Sequence, residues 1–506
     1  MKTFIKHTAS KFSVLLFLFS ADILAQQKDT TAEKKSMQNF YNLAELRDHL
    51  DDSFNDPNFS NAVWGVLVKS LKTGEIIYKR NADKLFIPAS NMKLFTSAAA
   101  LNLLGSNYVY TTELSANGII KNGKLDGDLI IQGTGDPTIS NRFYEGNPTK
   151  IFETWADTLL SKGIREISGN IYGDDSAFDN AGLGKGWEWD NESFWFSAPS
   201  GALSFNDNTI ELNIIPAEKN FPAQINVVPN TKHVNVISKV ITVADNEEQA
   251  ITVSRLRGTN LISVSGKIRK SSQTVKEFVS ISDPTMFFLT VLKEIFEQKG
   301  IAVKGSAGSI DTADKIIISE NLSHLHTNES VPLFIILKEL NKNSNNFYAE
   351  QILKTIGYEV YGFGTAENGV RACKDLFNTM GINPDNMLMA DGSGLSRLNL
   401  ITPRQIVNLL AYMYKSDQFN AFYDSLPIGG VDGTLANRMR RTAAQNNVRA
   451  KAGYSDNVSS LSGYIKTVNG EMLVFSIMVN NFLAPPALAN YLEDNVCNRL
   501  ANFVRN

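Results

Sequence analysis

Alternating apolar and polar positions near the N-terminus predict a β-hairpin that is followed by an apolar helix. The stretches AVWGVLVKSL and EIIYKRN alternate with the period of a strand, and the turn KTG at residues 72–74 places a glycine between them. Residues 39–52, ahead of the hairpin, carry apolar residues at helical spacing. The stretch ASNMKLFTSAAALNLLG follows the hairpin and predicts a helix that begins near Ser90.

Short strand-like runs dominate the chain from about residue 110 to about residue 311. Glycine and asparagine separate these runs, as is typical of turns between strands. The runs are GDLIIQGTGDP, EISGNIYGDD, NTIELNIIPA, QINVVPN, VNVISKVITVA, AITVSRLRG and NLISVSGKI. Two amphipathic patterns, at residues 150–162 and 284–300, predict the helices of this region.

Helical patterns return after this β-rich region, and strands lie close to the end of the chain. The stretch VPLFIILKELNKNSNNFYAEQILKTIG predicts helices, residues 448–453 a strand, SLSGYIKTVNGEMLVFSIMVN a hairpin, and residues 486–503 a last helix. Strands near both ends of the chain can pair in one antiparallel sheet. We therefore predict an α+β fold with one domain in two pieces, residues 41–110 and 325–506, split by an insert at 111–324 that holds two nested subdomains.

The first residues predict export from the cytoplasm. Three lysines precede the apolar run FSVLLFLFSADILA, and Ala25 offers a small residue for cleavage. We predict a signal peptide at residues 1–25 and a flexible polar leader at residues 26–40. No later stretch has the roughly 18 consecutive apolar residues that span a bilayer. We therefore expect a periplasmic protein without a transmembrane anchor.

Charge and composition argue against several classes of function. The net charge is −3, and −5 without the first 25 residues, so the chain has no electrostatic footprint for nucleic acid. The two cysteines, Cys373 and Cys497, form either one disulfide or two buried free thiols. His324 and His326 are the only close pair of histidines and have no nearby cysteine or carboxylate array. We predict no metal site and no cofactor.

Ser90 and Lys93 are the first candidates for chemistry. Residues three apart on a helix lie on the same face, so the lysine amine can reach the serine hydroxyl. A desolvated lysine with a lowered pKa can act as the base that such a nucleophile needs. In the alternative interpretation, Ser90 only caps the helix and Lys93 is a solvated residue of its first turn.

Two further short motifs lie far along the chain. Ser344 and Asn346 are two residues apart at the tip of a helical segment, where the alternative is a helix cap. Lys451 lies on a predicted strand just ahead of Gly453, which would let the backbone come close to a ligand. The alternative for this lysine is an edge-strand charge that prevents aggregation.

The order Ser-x-x-Lys, Ser-x-Asn, Lys-x-Gly is the signature of penicillin-binding proteins and serine β-lactamases. The stretches PASNMKLFTSAAALNLLG, GDLIIQGTGDPT, GDDSAFD, DGSGLSRLNLITPRQ and LPIGGVDGTLANRM extend the match. From about residue 62 onward the chain resembles the D-Ala-D-Ala carboxypeptidase/endopeptidase family of penicillin-binding protein 4. The separation of 251 positions between Lys93 and Ser344 is typical of that family. The literal Lys-Thr-Gly at residues 72–74 precedes Ser90 and is not the third motif.

The resemblance implies a serine β-lactamase/DD-peptidase-like fold and a role for each motif residue. Ser90 would be the acylated nucleophile and Lys93 its general base, kept neutral by burial and by the ammonium of Lys451. Ser344 would relay a proton to the leaving amine, and Asn346 would hold the substrate amide and the Lys93 amine.

The resemblance also implies an oxyanion hole and a substrate-binding surface. The backbone N–H groups of Ser90 and Tyr454 would form the oxyanion hole. Asp174, with Asp175 as the neighbouring alternative, would meet the free amino end of the peptidoglycan side chain. Arg397 would complement the side-chain carboxylate, since a guanidinium fork suits that group.

The third motif departs from the usual pattern of the family at its middle residue. Relatives usually carry threonine or serine there, whose hydroxyl helps to hold the terminal carboxylate of the substrate. Ala452, ahead of Gly453, lacks this donor.

The function implied is that of a serine DD-peptidase that cleaves D-Ala-containing peptide bonds of peptidoglycan through an acyl-enzyme. Its partners would be peptidoglycan stem peptides, with β-lactams as inhibitors. The sequence leaves open whether it acts as a carboxypeptidase or an endopeptidase. One alternative is a peptidoglycan-binding protein with weak or lost turnover because of Ala452. A β-lactamase would need a water-activating group that the sequence does not reveal.

Overall fold

The structure is a computed structural model that describes residues 40, 42–312 and 322–505. The predicted signal peptide lies outside these residues, as does the predicted leader apart from Phe40. The helices are α1 (Leu43–Phe54), α2 (Met92–Leu103), α3 (Lys150–Ser161), α4 (Pro284–Gln298), α5 (Leu333–Lys342), α6 (Asn346–Tyr361), α7 (Ala366–Thr379), α8 (Pro403–Lys415), α9 (Phe419–Ser425) and α10 (Pro486–Ala501).

The strands fall into one group at the two ends of the chain and another between them. The end group is β1 (Val63–Ser70), β2 (Ile76–Arg80), β16 (Arg449–Ser455), β17 (Val458–Lys466) and β18 (Met472–Asn480). The middle group is β3 (Thr111–Lys121), β4 (Lys124–Gly133), β5 (Glu166–Ile167), β6 (Ile171–Asp174), β7 (Thr209–Ile215), β8 (Gln224–Val228), β9 (Asn235–Val243), β10 (Ala250–Arg255), β11 (Leu261–Arg269), β12 (Val275–Ser280), β13 (Ala302–Val303), β14 (Ala307–Ser309) and β15 (Ser323–Glu329).

The end group forms one antiparallel sheet in the order β16-β17-β18-β1-β2. The N-terminal hairpin joins the C-terminal strands because β1 pairs with β18 along its whole length, from Val63 opposite Asn480 to Ser70 opposite Leu473. The predicted α+β fold, with a sheet built from strands distant in sequence, is confirmed.

Both faces of this sheet are covered, and the alternation along β1 shows how. Val66 and Val68 belong to a core cluster shared with α1 and α10, whereas Leu67 belongs to a cluster shared with α2 and α5–α8. Alternate side chains of a strand point to opposite faces, so each face packs against its own helices. Helix α2 lies deepest, and every residue from Met92 to Leu101 is buried.

The inserted region has its own hydrophobic core, built around α3, α4 and the strands that they cover. Its largest sheet follows the order β13-β5-β4-β3-β15, with β6 and β14 attached, and two three-stranded sheets follow the orders β10-β11-β9 and β12-β7-β8. Strand β15 pairs with β3, so this sheet continues past residue 324, where the sequence prediction ended the insert. The exact domain boundaries and the number of nested subdomains stay predictions.

Cys373 and Cys497 are free thiols and are both buried. Cys373 belongs to the core around α2, and Cys497 to the core beneath α10, so they pack on opposite faces of the sheet. Of the two alternatives that the sequence left open, the structure therefore has two buried thiols. Among the described helices, none is long and apolar enough to cross a membrane.

Candidate active site

Ser90 lies in a short turn that leads into α2. The turn spans Ala89–Asn91, and Ala89 has a left-handed φ of +46°. The Asn91 amide donates hydrogen bonds to the Lys451 carbonyl at 3.0 Å and to the Ser460 hydroxyl at 2.8 Å, which ties the turn to β16 and β17. The cap position of α2 is occupied by Asn91, so the alternative in which Ser90 only caps this helix does not describe the structure.

Lys93 is fully buried and its amine has three oxygen neighbours. Nζ lies 2.6 Å from Asn346 Oδ1 and 2.7 Å from the Ser393 carbonyl oxygen, and it lies 3.0 Å from Ser90 Oγ. The first two oxygens can only accept, so they take two N–H groups of the amine. A neutral amine then directs its lone pair at the Ser90 hydroxyl.

Burial favours this neutral amine. It lowers the pKa of Lys93 to about 7, although the nearby carboxylates of Asp391 and Glu350 act in the opposite direction. Burial also lowers the pKa of Lys451 well below its usual value, and the nearby Lys93 lowers it further. Two ammonium groups this close would repel each other in a medium where charge is poorly solvated. Burial therefore favours the neutral form of both amines, and their mutual repulsion disfavours charging both.

Ser344 and Asn346 face these lysines from the start of α6. Ser344 has a left-handed φ of +56°, and Asn345 caps the helix by accepting a hydrogen bond from a backbone N–H of the first turn. Lys451 Nζ lies 2.9 Å from Ser344 Oγ and donates to the Ala452 carbonyl at 2.7 Å. Together with the contact between Lys93 and Asn346, these bonds bring all five predicted motif residues into one cluster.

Gly453 brings β16 against the turn that carries Ser90. A Cβ atom at this position would lie 2.5 Å from Ser460 Oγ and 2.8 Å from the Ser90 nitrogen. Backbone N–H groups of an edge strand alternate between the neighbouring strand and the open edge. Ala450 N–H faces the open edge, where it donates to the Pro427 carbonyl at 3.0 Å, so Tyr454 N–H faces the same edge. This direction supports the predicted oxyanion hole.

The two predicted substrate-binding side chains differ in their relation to this cluster. Arg397 lies beside the end of β16, where its guanidinium donates to the Asp456 carbonyl at 2.9 Å. Asp174 accepts hydrogen bonds from Ser176 and from Gln132, so its contacts among the described residues lie within the insert.

The neighbour of Asp174 and the middle residue of the third motif are also held by local contacts. Asp175 contacts the hydroxyl of Thr285 on α4. Ala452 is partly buried and packs against the hydrophobic core shared with α1 and α10. The substrate-binding roles of Asp174 and its neighbour stay predictions.

Two buried carboxylates that the sequence analysis missed hold the loop whose Ser393 carbonyl contacts the Lys93 amine. Glu350, one helical turn after Asn346, accepts hydrogen bonds from the backbone N–H groups of Gly392 and Ser393, the latter at 2.8 Å. Asp391 accepts further bonds from the same loop and from Trp187 of the insert. These bonds hold the loop so that the Ser393 carbonyl points at Lys93. The spacing of four residues from Asn346 was the signal that could have revealed Glu350.

Within residues 40, 42–312 and 322–505, no group of three or more His, Cys, Asp or Glu side chains is arranged to hold a metal ion. His324 instead contacts the Thr327 hydroxyl at 2.8 Å.

The sequence matches the model of the D-Ala-D-Ala carboxypeptidase 3 (S13) family over residues 46–502. The chain belongs to this family. Membership confirms the predicted serine-type D-Ala-D-Ala peptidase of the penicillin-binding class. The match covers both pieces of the split domain and the insert between them.

Individual relatives match this chain over most of their own length. The chain is 34% identical to a D-alanyl-D-alanine carboxypeptidase of Actinomadura sp. (strain R39) over 477 residues, which are 91% of this chain and 85% of the relative. It is 27% identical to D-alanyl-D-alanine carboxypeptidase DacB of Haemophilus influenzae, over 84% of this chain and 86% of the relative. The crystal structure of penicillin-binding protein 4 (dacB) from that organism superposes with a TM-score of 0.77 at 25% identity, covering 91% of this chain and all of that one.

Proposed function

We propose that Ser90 attacks the carbonyl carbon of a D-Ala peptide bond and forms an ester with the acyl part of the substrate. The observation that carries this proposal is the placement of a fully buried lysine amine 3.0 Å from Ser90 Oγ. A lysine whose pKa burial lowers to about 7 is present in its neutral, basic form in a substantial fraction of molecules at neutral pH.

The proton and the charge of this reaction each have a group to receive them. The Lys93 lone pair takes the hydroxyl proton as Ser90 Oγ bonds to the carbonyl carbon, and the developing oxyanion accepts hydrogen bonds from the backbone N–H groups of Ser90 and Tyr454. The C–N bond then breaks. The leaving amine takes a proton that Ser344 relays, and Lys451 holds the Ser344 hydroxyl at 2.9 Å in the free enzyme. Water afterwards hydrolyses the ester and frees Ser90.

The substrates are peptidoglycan stem peptides, and β-lactams acylate the same serine because their amide resembles the bond that is cut. Carboxypeptidase and endopeptidase reactions both break the bond after D-Ala and differ only in the leaving amine. We further propose that the predicted signal peptide directs the enzyme to the periplasm. Arg397 is proposed to meet a carboxylate of the substrate beside β16.

Labelling with a fluorescent penicillin tests the proposal. We expect a stable adduct in the wild type and none in Ser90→Ala, with mass spectrometry locating the acyl group on the peptide that contains Ser90. An adduct that disappears within seconds would indicate a β-lactamase. The absence of an adduct in a folded wild type would contradict the proposal and favour a binding protein.

A second candidate function follows from Ala452, which has no hydroxyl to offer a substrate carboxylate. On this hypothesis the protein binds peptidoglycan peptides with weak or lost turnover. Release of D-Ala from a synthetic peptide ending in D-Ala-D-Ala separates the two candidates, because a binding protein would release none.

A further inference from the structure

The insert contacts the Ser344–Asn346 motif at two points. The Phe196 carbonyl accepts a hydrogen bond from Asn346 Nδ2 at 2.8 Å, and the Asp207 carboxylate accepts one from Asn345 Nδ2 at 3.3 Å. Both acceptors belong to the inserted region, whereas both donors lie at the start of α6. The second motif is therefore held from outside the split domain that carries it.

The Phe196 contact determines which way the Asn346 amide faces. An asparagine amide has one oxygen, which accepts, and one NH₂ group, which donates. Because the NH₂ group donates to Phe196, the oxygen faces the Lys93 amine, 2.6 Å away. The reversed amide would bring two carbonyl oxygens together on one side and two N–H groups together on the other.

Asp207 is presented by an unusual stretch of backbone. Asn206, Asp207 and Asn208 have left-handed φ values of +49°, +56° and +50°, and all three residues are buried. The Asn208 side chain donates to the Pro199 carbonyl at 2.8 Å and so holds the turn in place. Conformations of this kind persist only where the surroundings hold them, and they concentrate at functional sites.

The charge of Asp207 is balanced within the same interface. Arg142, also from the insert, contacts the Asp207 carboxylate at 2.6 Å and Glu339 on α5 at 3.0 Å. Tyr348 on α6 lies 3.4 Å from the other carboxylate oxygen of Asp207. Asp207 and Arg142 together thus join the insert to the two helices that flank Ser344, with Asp207 contacting α6 and Arg142 contacting α5.

We propose that Asp207 is a positioning residue for the second motif, so that the insert is part of the acylation machinery. Asp207 holds Asn345, and the neighbouring Phe196 carbonyl orients Asn346 toward Lys93. The inference rests on the proposed function, because it assigns Asp207 a role through the proposed roles of Ser344 and Asn346. On this proposal, the β-rich insert contributes to bond cleavage as well as to any substrate binding.

The test compares Asp207→Asn with Asp179→Asn in the full mature chain. Asp179 is also an insert carboxylate, and it contacts Lys354 on the same helix at 2.7 Å, two turns beyond Asn346. Stopped-flow acylation by a chromogenic β-lactam gives the acylation rate constant at saturation and the dissociation constant of the preceding complex. We expect the rate constant to fall tenfold or more in Asp207→Asn, with the dissociation constant within twofold of the wild type. Asp179→Asn should stay within twofold on both measures.

A second variant keeps the test decisive if Asp207→Asn does not fold. Asn345→Ser retains an oxygen that can cap α6 but removes the Nδ2 donor to Asp207, so it should lower the acylation rate constant in the same way. Wild-type rates in a folded Asp207→Asn or Asn345→Ser variant would overturn the inference, as would equal losses in Asp207→Asn and Asp179→Asn. A wild type that is not acylated at Ser90 would instead overturn the proposed function.

Discussion

The two walls of the active site are built in different ways. The wall that carries Ser90 and Lys93 consists of α2 and the turn that leads into it, and the buried residues of α2 form part of one continuous core of the split domain. The wall that carries Ser344 and Asn346 lies at the start of α6, where Asn345 and Asn346 donate hydrogen bonds to the insert. The placement of Lys93, the proposed base, therefore depends on burial in one core, and the placement of the second motif depends on contacts between two regions.

The comparison also separates two kinds of electrostatic control. Lys93 is desolvated, and burial is the largest influence on its pKa. Asn346 is neutral, and its orientation depends on which hydrogen-bond partners lie on each side of the amide. The surroundings of Lys93 therefore control the protonation of its amine, and the surroundings of Asn346 control the orientation of its amide.

The largest expected effects come from removing Ser90, the proposed nucleophile, or Lys93, the proposed base. Ser90→Ala is expected to abolish penicillin labelling and release of D-Ala, because the hydroxyl is needed for attack. Lys93→Ala should be nearly as severe, since residues that act as a unit do not contribute additively. Gel labelling and a D-Ala release assay measure both effects, with circular dichroism to establish folding. Labelling of folded Ser90→Ala protein would show that another residue is the nucleophile.

Restoring a hydroxyl to the third motif should strengthen the hold on the substrate carboxylate. A hydrogen bond to a charged group contributes about 1.5–3 kcal/mol, which corresponds to roughly one to two powers of ten in rate. Ala452→Thr is therefore expected to raise the second-order rate of Ser90 acylation by benzylpenicillin several-fold or more. An unchanged or lower rate would mean that other groups hold the carboxylate and that the site is built around alanine. The same assay on Ala452→Val, which adds bulk without a donor, is the control.

The acylation rate should rise with pH through about 7, because Lys93 must be neutral to take the proton and its pKa is lowered to about 7. Below that pH the amine is protonated and its lone pair is lost. A pH profile of the second-order rate constant between about pH 5 and pH 9 measures this rise, which is the ascending limb of the profile. A rate that is independent of pH across this range would remove Lys93 from the role of base.

A change at Glu350 should shift that limb by a smaller amount. Glu350→Gln removes a carboxylate that raises the pKa of Lys93, so the limb should move to lower pH. The shift is modest because burial and the nearby Asp391 carboxylate raise the pKa of Glu350 itself. Glu493→Gln, which changes a buried carboxylate on α10, should leave the limb in place. A uniform loss of rate without a shift would give Glu350 a structural role only.

The sequence predicted the first wall better than the second. Helical periodicity and the three-residue spacing were enough to put Lys93 beside Ser90, because local spacing on a helix determines which side chains are neighbours. The contact between Asn346 and Phe196 uses a backbone carbonyl, which has no side-chain signature. The left-handed turn at Asp207 is held by contacts such as that of Asn208 with the Pro199 carbonyl, and hydrophobic periodicity does not reveal them.

Two other features also show that sequence patterns do not reveal which residues are neighbours in space. Strand β15 extends the largest sheet of the insert past residue 324, since pairing with β3, and not composition, determines where that sheet ends. Asp174 was assigned to the substrate from a short motif of the insert; its hydrogen bonds lie within the insert, and its role toward the substrate stays a prediction. A motif identifies a residue type at a position, whereas its neighbours in space depend on the whole fold.

The pairing of β1 with β18 has a consequence for the order in which the fold forms as the chain is synthesised. Strand β1 precedes the insert, but its partner β18 follows it and ends at Asn480. The inserted region is continuous in sequence and has its own core, so it can complete its contacts while β1 still lacks its partner. The catalytic cluster is the last part to assemble, because Lys451 and the strands beside it arrive at the end. A chain that lacks the C-terminal strands therefore carries Ser90 without the groups proposed to activate it, and we expect activity only once those strands have been added.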